Sequence, residues 1–243
     1  FAIGGLFTAD GYARLAYRKG ETENLSGKVE ASSFELALPA GKASGEISGS
    51  ASFDLDYLTD GSSRVNWFEL TGGVNDLRVI EGLEISGNLS LEYQDKAHKI
   101  NDLGQSRYIL NAGITDSRFN LSDDIQLDLE EASLSNFVVT STGEVHSWQL
   151  STVVTELDLY GLKLSGDLAL EYSRAANSLS GSATVSSFAL DLNGDGVSDL
   201  PQLSGGFSFK LIDDELANWA IKASAKDVKL FDRFKFDGSI AVR

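Results

Sequence analysis

Cysteine and methionine are both missing from the 243 residues, proline and histidine occur twice each, and 20 basic side chains face 36 acidic ones. Each shortage closes a route. Without cysteine there is no disulfide framework and no thiolate metal site, a usage that suits many compartments and leans towards a bacterial secreted or envelope protein. The formal net charge of −16 argues against nucleic acid, because binding phosphate takes a basic surface that can release counterions. Charges interrupt every apolar stretch well before the roughly 18 residues that a membrane-crossing helix needs, which excludes a helical membrane bundle. The first residues, Phe1-Ala2-Ile3-Gly4-Gly5, show no charged region, apolar run or cleavage site, so the chain reads as a processed protein or a piece of a longer one. With 42% apolar residues it is not disordered, and its length suits one large domain or two small ones.

What the sequence does have is self-similarity. Residues 82–93 (GLEISGNLSLEY) and 161–172 (GLKLSGDLALEY) agree at eight of twelve positions, and 25–38 (LSGKVEASSFELAL) and 179–192 (LSGSATVSSFALDL) at eight of fourteen. The offsets, 79 and 154, imply one period near 78 residues. The tryptophans, Trp67, Trp148 and Trp219, fall 81 and 71 apart, one per period, each after a small polar residue. Extending the phase aligns 3–9 with 85–91, 164–170 and 236–242, making Gly5, Gly87, Gly166 and Gly238 the marker glycines. The expected organisation is therefore the end of a preceding repeat at 1–24, repeats at 25–100, 101–178 and 179–243, and an origin in a longer array.

Within a period the signal is strand. Ile85, Gly87, Leu89, Leu91 and Tyr93 share one parity while Ser86, Asn88, Ser90 and Glu92 take the other, and 164–172 repeats the pattern. Period-two alternation marks a strand with one buried and one wet face. Further strands are expected near 28–38, 46–58, 64–71, 107–121, 125–140, 145–160, 182–192, 203–212 and 227–243, with turns at 59–62 and 142–143 and around Pro39 and Pro201. The segment 213–226 (DDELANWAIKASAK) has helix-forming composition, but its alignment with the other tryptophan segments favours strand. The predicted fold is all-β: an elongated array of about three diverged repeats, mostly antiparallel, forming either a continuous sheet or solenoid or a chain of small sandwiches.

The sharpest chemical motif is 191–199, DLNGDGVSD. Asp191, Asn193, Asp195 and Asp199 place oxygen ligands at loop positions 1, 3, 5 and 9, Val197 offers its carbonyl at position 7, and Gly196 permits the sharp turn at position 6. This spacing suits calcium, and Gln202 stands where an EF-hand carries its bidentate glutamate. The loop resembles those of dockerins and of FG-GAP or VCBS-type extracellular repeats. The bland alternative is an Asx-rich turn that needs no ion.

Catalysis finds little support. His98 and His146 are isolated, and no nucleophile elbow, phosphate loop or dinucleotide fingerprint occurs. The acidic pairs Asp123-Asp124, Glu130-Glu131 and Asp213-Asp214 read as solvated turn residues rather than glycosidase carboxylates. Trp67, Trp148 and Trp219, together with Leu89, Leu91, Leu168 and Leu170, are the expected structural core; sugar stacking is the weaker reading of the tryptophans.

These features suggest a non-enzymatic structural or adhesive segment of a larger bacterial cell-surface or secreted protein, stiffened by calcium, with neighbouring repeats or subunits as partners. A second reading rests on GLxISGxLxLEY, which resembles the strand repeats of the AsmA/TamB family. That resemblance implies a periplasmic sheet carrying lipid along an apolar trough. A third, an outer-membrane β-barrel, suits the strand length but lacks an unbroken apolar band and aromatic girdles. Carbohydrate or lipid remain candidate ligands, and the inner face separates the first two readings: a stalk fills it, a conduit leaves it open.

Overall fold

The computed structural model describes residues 2–3, 7–20, 23–36, 46–58, 62–80, 83–97, 103–122, 125–159, 162–190, 200–213, 215–230 and 234–242. Every regular element among them is a strand: β1 (Ala2–Ile3), β2 (Phe7–Arg18), β3 (Glu23–Leu36), β4 (Glu46–Tyr57), β5 (Ser63–Ile80), β6 (Leu83–Gln94), β7 (Arg107–Ser122), β8 (Ile125–Thr140), β9 (Val145–Leu159), β10 (Leu162–Ser173), β11 (Ser178–Leu190), β12 (Leu200–Ile212), β13 (Glu215–Leu230) and β14 (Phe234–Val242). They form one antiparallel sheet in which strand order follows chain order from β1 to β14. Among the described residues β1 and β14 do not pair with each other, so the sheet is open and not closed into a barrel. The all-β reading holds, and 213–226 resolves as strand: Phe209 pairs with Trp219 and Phe207 with Ile221 in regular register.

Several boundaries differ from expectation, each for a local reason. Strand β5 runs on through Gly72-Gly73 to Ile80, because β4 and β6 pair with both glycines and hold them extended. The stretch 227–243 is two strands, the end of β13 and β14, with Leu230 opposite Phe234. Pro201 is the second residue of β12, and it falls where the β11–β12 register is irregular between Leu190↔Leu200 and Phe188↔Leu203. A residue that cannot donate to a ladder is tolerated at such a place. Pro39 and Gly5 lie outside the described residues. The N-terminal strand β2 was not expected as a full element; its glycine at the fifth position is Gly11, where β6 has Gly87, β10 has Gly166 and β14 has Gly238.

The chain divides into two compact units, Phe1–Arg118 with Ser133–Trp148, and Phe119–Ala132 with Gln149–Arg243. In the first, alternate residues of each strand are buried: Ala51, Phe53 and Leu55 on β4; Phe68, Leu70 and Val74 on β5; Leu89 and Leu91 on β6; Tyr108, Leu110, Ala112 and Ile114 on β7. In the second, the same alternation buries Leu150 and Val154 on β9, Leu168 and Leu170 on β10, Phe207, Phe209 and Leu211 on β12, and Ile221 and Ala223 on β13. No helix or second sheet covers these faces among the described residues. Within each unit the shelter therefore comes from the twist and curvature of the sheet itself.

The register breaks fall at matching places. On β3 the break against β4 lies between Ala31 and Phe34, and on β11 against β12 between Val185 and Phe188. On β5 against β6 it lies between Val74 and Leu77, and on β13 against β14 between Ala225 and Val228. On β2 it precedes Gly11, and on β10 it precedes Gly166. Bulges bend a strand and sharpen its twist, so breaks at these places help to curl each unit over its apolar face.

Candidate functional site

Two features of the first unit have the makings of a site: the apolar face and a polar network on the opposite surface. The apolar face is assembled by register. Phe53 pairs with Phe68, which pairs with Tyr93; Leu70 pairs with Leu91. The rings of Phe68 and Tyr93 stack at 5.7 Å, and Tyr108 from β7 approaches Tyr93 to 5.0 Å and Phe68 to 6.4 Å. Burial pushes the Tyr108 phenol up to about 12, and burial likewise raises that of Tyr93. Both favour the neutral form because an apolar surrounding disfavours a phenolate. The face is dry: Ile85 is 0% exposed, Leu89 4% and Leu91 1%. Apolar side chains shielded this thoroughly are filled by one another and leave water no access.

The tryptophans do not share one environment. Trp148 is buried on β9. Trp219 is 36% exposed, although its partner Phe209 is buried. Among the described residues the pairing with β14 ends at Ile221, opposite Val242. Trp67 is half-buried and stands opposite Asp54 and Gln94. Phe53 on β4 and Phe209 on β12 occupy matching positions, and their partners are Phe68 and Trp219. Phe68, not Trp67, is thus the counterpart of Trp219. The two strands carry a bulge at the same place, with Asn66 and Ala217 as the extra residues; Phe68 and Trp219 each follow it by two positions, whereas Trp67 follows it by one and falls on the other parity. Leu168 and Leu170 are buried on β10, with Leu170 opposite Gly181.

The polar network joins β3, β4 and β5. Asn24 Nδ2 donates to Asp54 Oδ1 at 2.6 Å and to Asp56 Oδ1 at 3.1 Å, Arg64 Nη2 donates to Asp56 Oδ2 at 3.1 Å, and Asn66 Nδ2 donates to Asp54 Oδ2 at 3.4 Å. The Asn24 amide, followed by Asn66 and the Arg64 guanidinium, holds the Asp56 carboxyl below the usual carboxylate range against the opposing effect of burial. With a donor on each of its oxygens the Asp56 carboxylate is held in place by its neighbours, the arrangement of a structural network.

The calcium-type loop, with Asp191, Asn193, Asp195, Val197 and Asp199, lies outside the described residues, as do His98 and the Asp123-Asp124 pair. Among the described residues no group of three or more histidine, aspartate or glutamate side chains is placed to hold a metal ion. His146 lies on β9, and Glu131 is exposed on β8, its carbonyl accepting the Thr152 hydroxyl at 2.8 Å. Among the described residues no helix is long and apolar enough to cross a membrane. A feature the sequence reading passed over is β2, whose residues from Asp10 to Arg18 are all exposed, Leu15 and Tyr17 among them. The signal was available, since FTADGYARLAYR matches LEISGNLSLEYQ in its glycine and in the tyrosine six residues on. Comparison with protein-family models, with curated proteins and with solved structures gave no match to this chain.

Proposed function

We propose that the chain is a non-enzymatic structural or adhesive segment of a larger bacterial cell-surface or secreted protein, built from a diverged four-strand repeat. The observation that carries this reading is the dry apolar face: Ile85, Leu89 and Leu91 are almost wholly shielded from water, as side chains are in a filled core. Such a face supplies stability and length and leaves little room for a ligand. The repeat is supported by the twelve-residue strands β2, β6 and β10, each with glycine fifth, and by bulges at matching places on β3 and β11 and on β5 and β13. The acidic surface keeps such segments apart and soluble, and calcium at 191–199 would stiffen one hairpin.

A periplasmic lipid-conducting segment of AsmA/TamB type is the second reading. It is favoured by the open sheet, which sets strand after strand in chain order with its apolar residues on one face. Lipid analysis separates the two. Purified from a bacterial host without detergent and extracted with organic solvent, a structural segment yields no stoichiometric phospholipid by mass spectrometry. Phospholipid at one or more molecules per chain, lost in Leu91→Asp but kept in a variant of the outer face such as Asn88→Asp, would establish the conduit instead.

A further inference from the structure

Two tyrosines face each other across β6 and β7. Arg107 Nε donates to Gln94 Oε1 and Ser106 Oγ donates to Asp95 Oδ2, contacts that set the antiparallel register and bring Tyr108 opposite Tyr93. The two ring centroids are 5.0 Å apart, with 51° between the planes. Phe68 packs against both rings and keeps them from swinging apart. The surroundings suit oxidation of the pair. Tyr93 is half-buried, and its phenol meets the Ser106 hydroxyl and the Asp95 carboxylate. A phenol gives up an electron readily only when its proton leaves as well, and a carboxylate beside it is a base for that proton. Tyr108 is 4% exposed, so an oxidant in solution reaches Tyr93 first. With no cysteine or methionine in the chain, the side chains that most readily consume peroxide are missing.

We propose that Tyr93 and Tyr108 are a site of oxidative cross-linking, joined as dityrosine by hydrogen peroxide and a haem peroxidase into a covalent staple between β6 and β7. The oxidant removes one electron from Tyr93, and Asp95 takes the phenol proton and releases it to solvent. Tyr108 then passes an electron and its phenol proton to the Tyr93 radical, and Tyr93 is oxidised a second time by the same route. The two radicals form one carbon–carbon bond between ortho positions, and each ortho hydrogen moves to the oxygen of its own ring. Two electrons and two protons have left the chain, and they reduce one hydrogen peroxide to two waters. Holding the rings in contact makes the coupling intramolecular and favours it over coupling between chains. The bond closes the chain between residues 93 and 108 and restricts its unfolded state as a disulfide does, in a chain that has no cysteine to form one. This goes beyond the structural reading above and holds equally for a lipid-conducting segment.

The test treats the full 243-residue chain, diluted until it is monomeric, with a haem peroxidase and a slight excess of hydrogen peroxide. The monomer is expected to lose the mass of two hydrogen atoms and to gain dityrosine fluorescence. Trypsin should then release residues 79–96 and 108–118 as one joined peptide. Tyr93→Phe and Tyr108→Phe should each abolish the joined peptide, while Tyr17→Phe, at a 55% exposed position, should leave its yield unchanged. Asp95→Asn should slow its formation by about tenfold or more, and Asp95→Glu should recover most of the rate. After oxidation the parent should melt at a higher temperature, and the Tyr108→Phe chain should not. The same treatment of the parent unfolded in urea should yield little joined peptide, a comparison that needs no variant to fold. No joined peptide from the folded monomer, or an equal yield from the chain in urea, overturns the proposal. So does survival of the joined peptide in either phenylalanine variant, its loss in Tyr17→Phe, reaction of Asp95→Asn at the parent's rate, or an unchanged melting temperature.

Discussion

Tyr108 is the most perturbed titrating side chain among the described residues, and its direction fixes how the fold meets alkali. Its folded-state value, about 12, lies above the ordinary 10, so the stability it contributes is complete below about pH 10 and is lost as pH rises through its folded value. Chemical denaturation between pH 9 and 12 should show the parent losing stability steadily and Tyr108→Phe losing it less steeply. Asp56 acts at the other limb. Its folded-state value is depressed, so its contribution is present above the ordinary 3.8 and disappears as pH falls below it. Asp56→Asn should therefore be less stable at neutral pH and have a shallower decline between pH 5 and 2 than the parent. The interior tolerates least. Leu91 is all but inaccessible and Leu91→Ala should cost about 2–5 kcal/mol in urea unfolding, whereas Tyr12→Ala, at an 87% exposed position, should stay within about 0.5 kcal/mol.

At the scale of the strand, two glycines do the work of side chains. Gly181 on β11 leaves a slot that the Phe209 ring of β12 fills: a Cβ there would stand 2.2 Å from Phe209 Cε1 and 2.9 Å from Leu170 Cδ2. Gly27 on β3 does the same for Phe53, whose Cζ lies 2.9 Å from the Cβ position. Gly181→Ala should therefore cost about 1–3 kcal/mol by overpacking, and Gly181→Ala with Phe209→Leu should recover part of it, read by thermal unfolding of the two variants side by side. The shared LSG of 25–27 and 179–181 was plain in the sequence; that its glycine is a receptacle for a ring on the next strand was not, because the ring lies some 26 to 28 residues downstream and only register joins them. The same limit explains the tryptophans. Spacing alone puts Trp67 in line with Trp219, but counted from the bulge residue that both strands share, Asn66 or Ala217, it is Phe68 and Trp219 that stand two residues on, and Trp67 only one. Alternation at 85–93 and 164–172 was sufficient for β6 and β10, since a single strand carries its own parity.

Across the whole molecule the dominant physical fact is the charge of −16. Self-repulsion on that scale opposes compaction and is relieved by any cation, so calcium must be distinguished from screening before the loop at 191–199 earns a role. At 0.15 M salt the Debye length is about 8 Å, and non-specific relief is already largely in place. Were Asp191, Asn193, Asp195 and Asp199 to coordinate a hard divalent ion directly, such salt would weaken the binding without removing it. Millimolar calcium should thus raise the melting temperature further at 0.15 M sodium chloride, and the same concentration of magnesium should raise it less, because the smaller ion gives up its waters reluctantly. Asp195→Ala should abolish the calcium increment while leaving the response to sodium chloride intact. If calcium and magnesium act alike, or if Asp195→Ala responds as the parent does, the divalent effect is that of an acidic surface being neutralised and the loop is an Asx-rich turn.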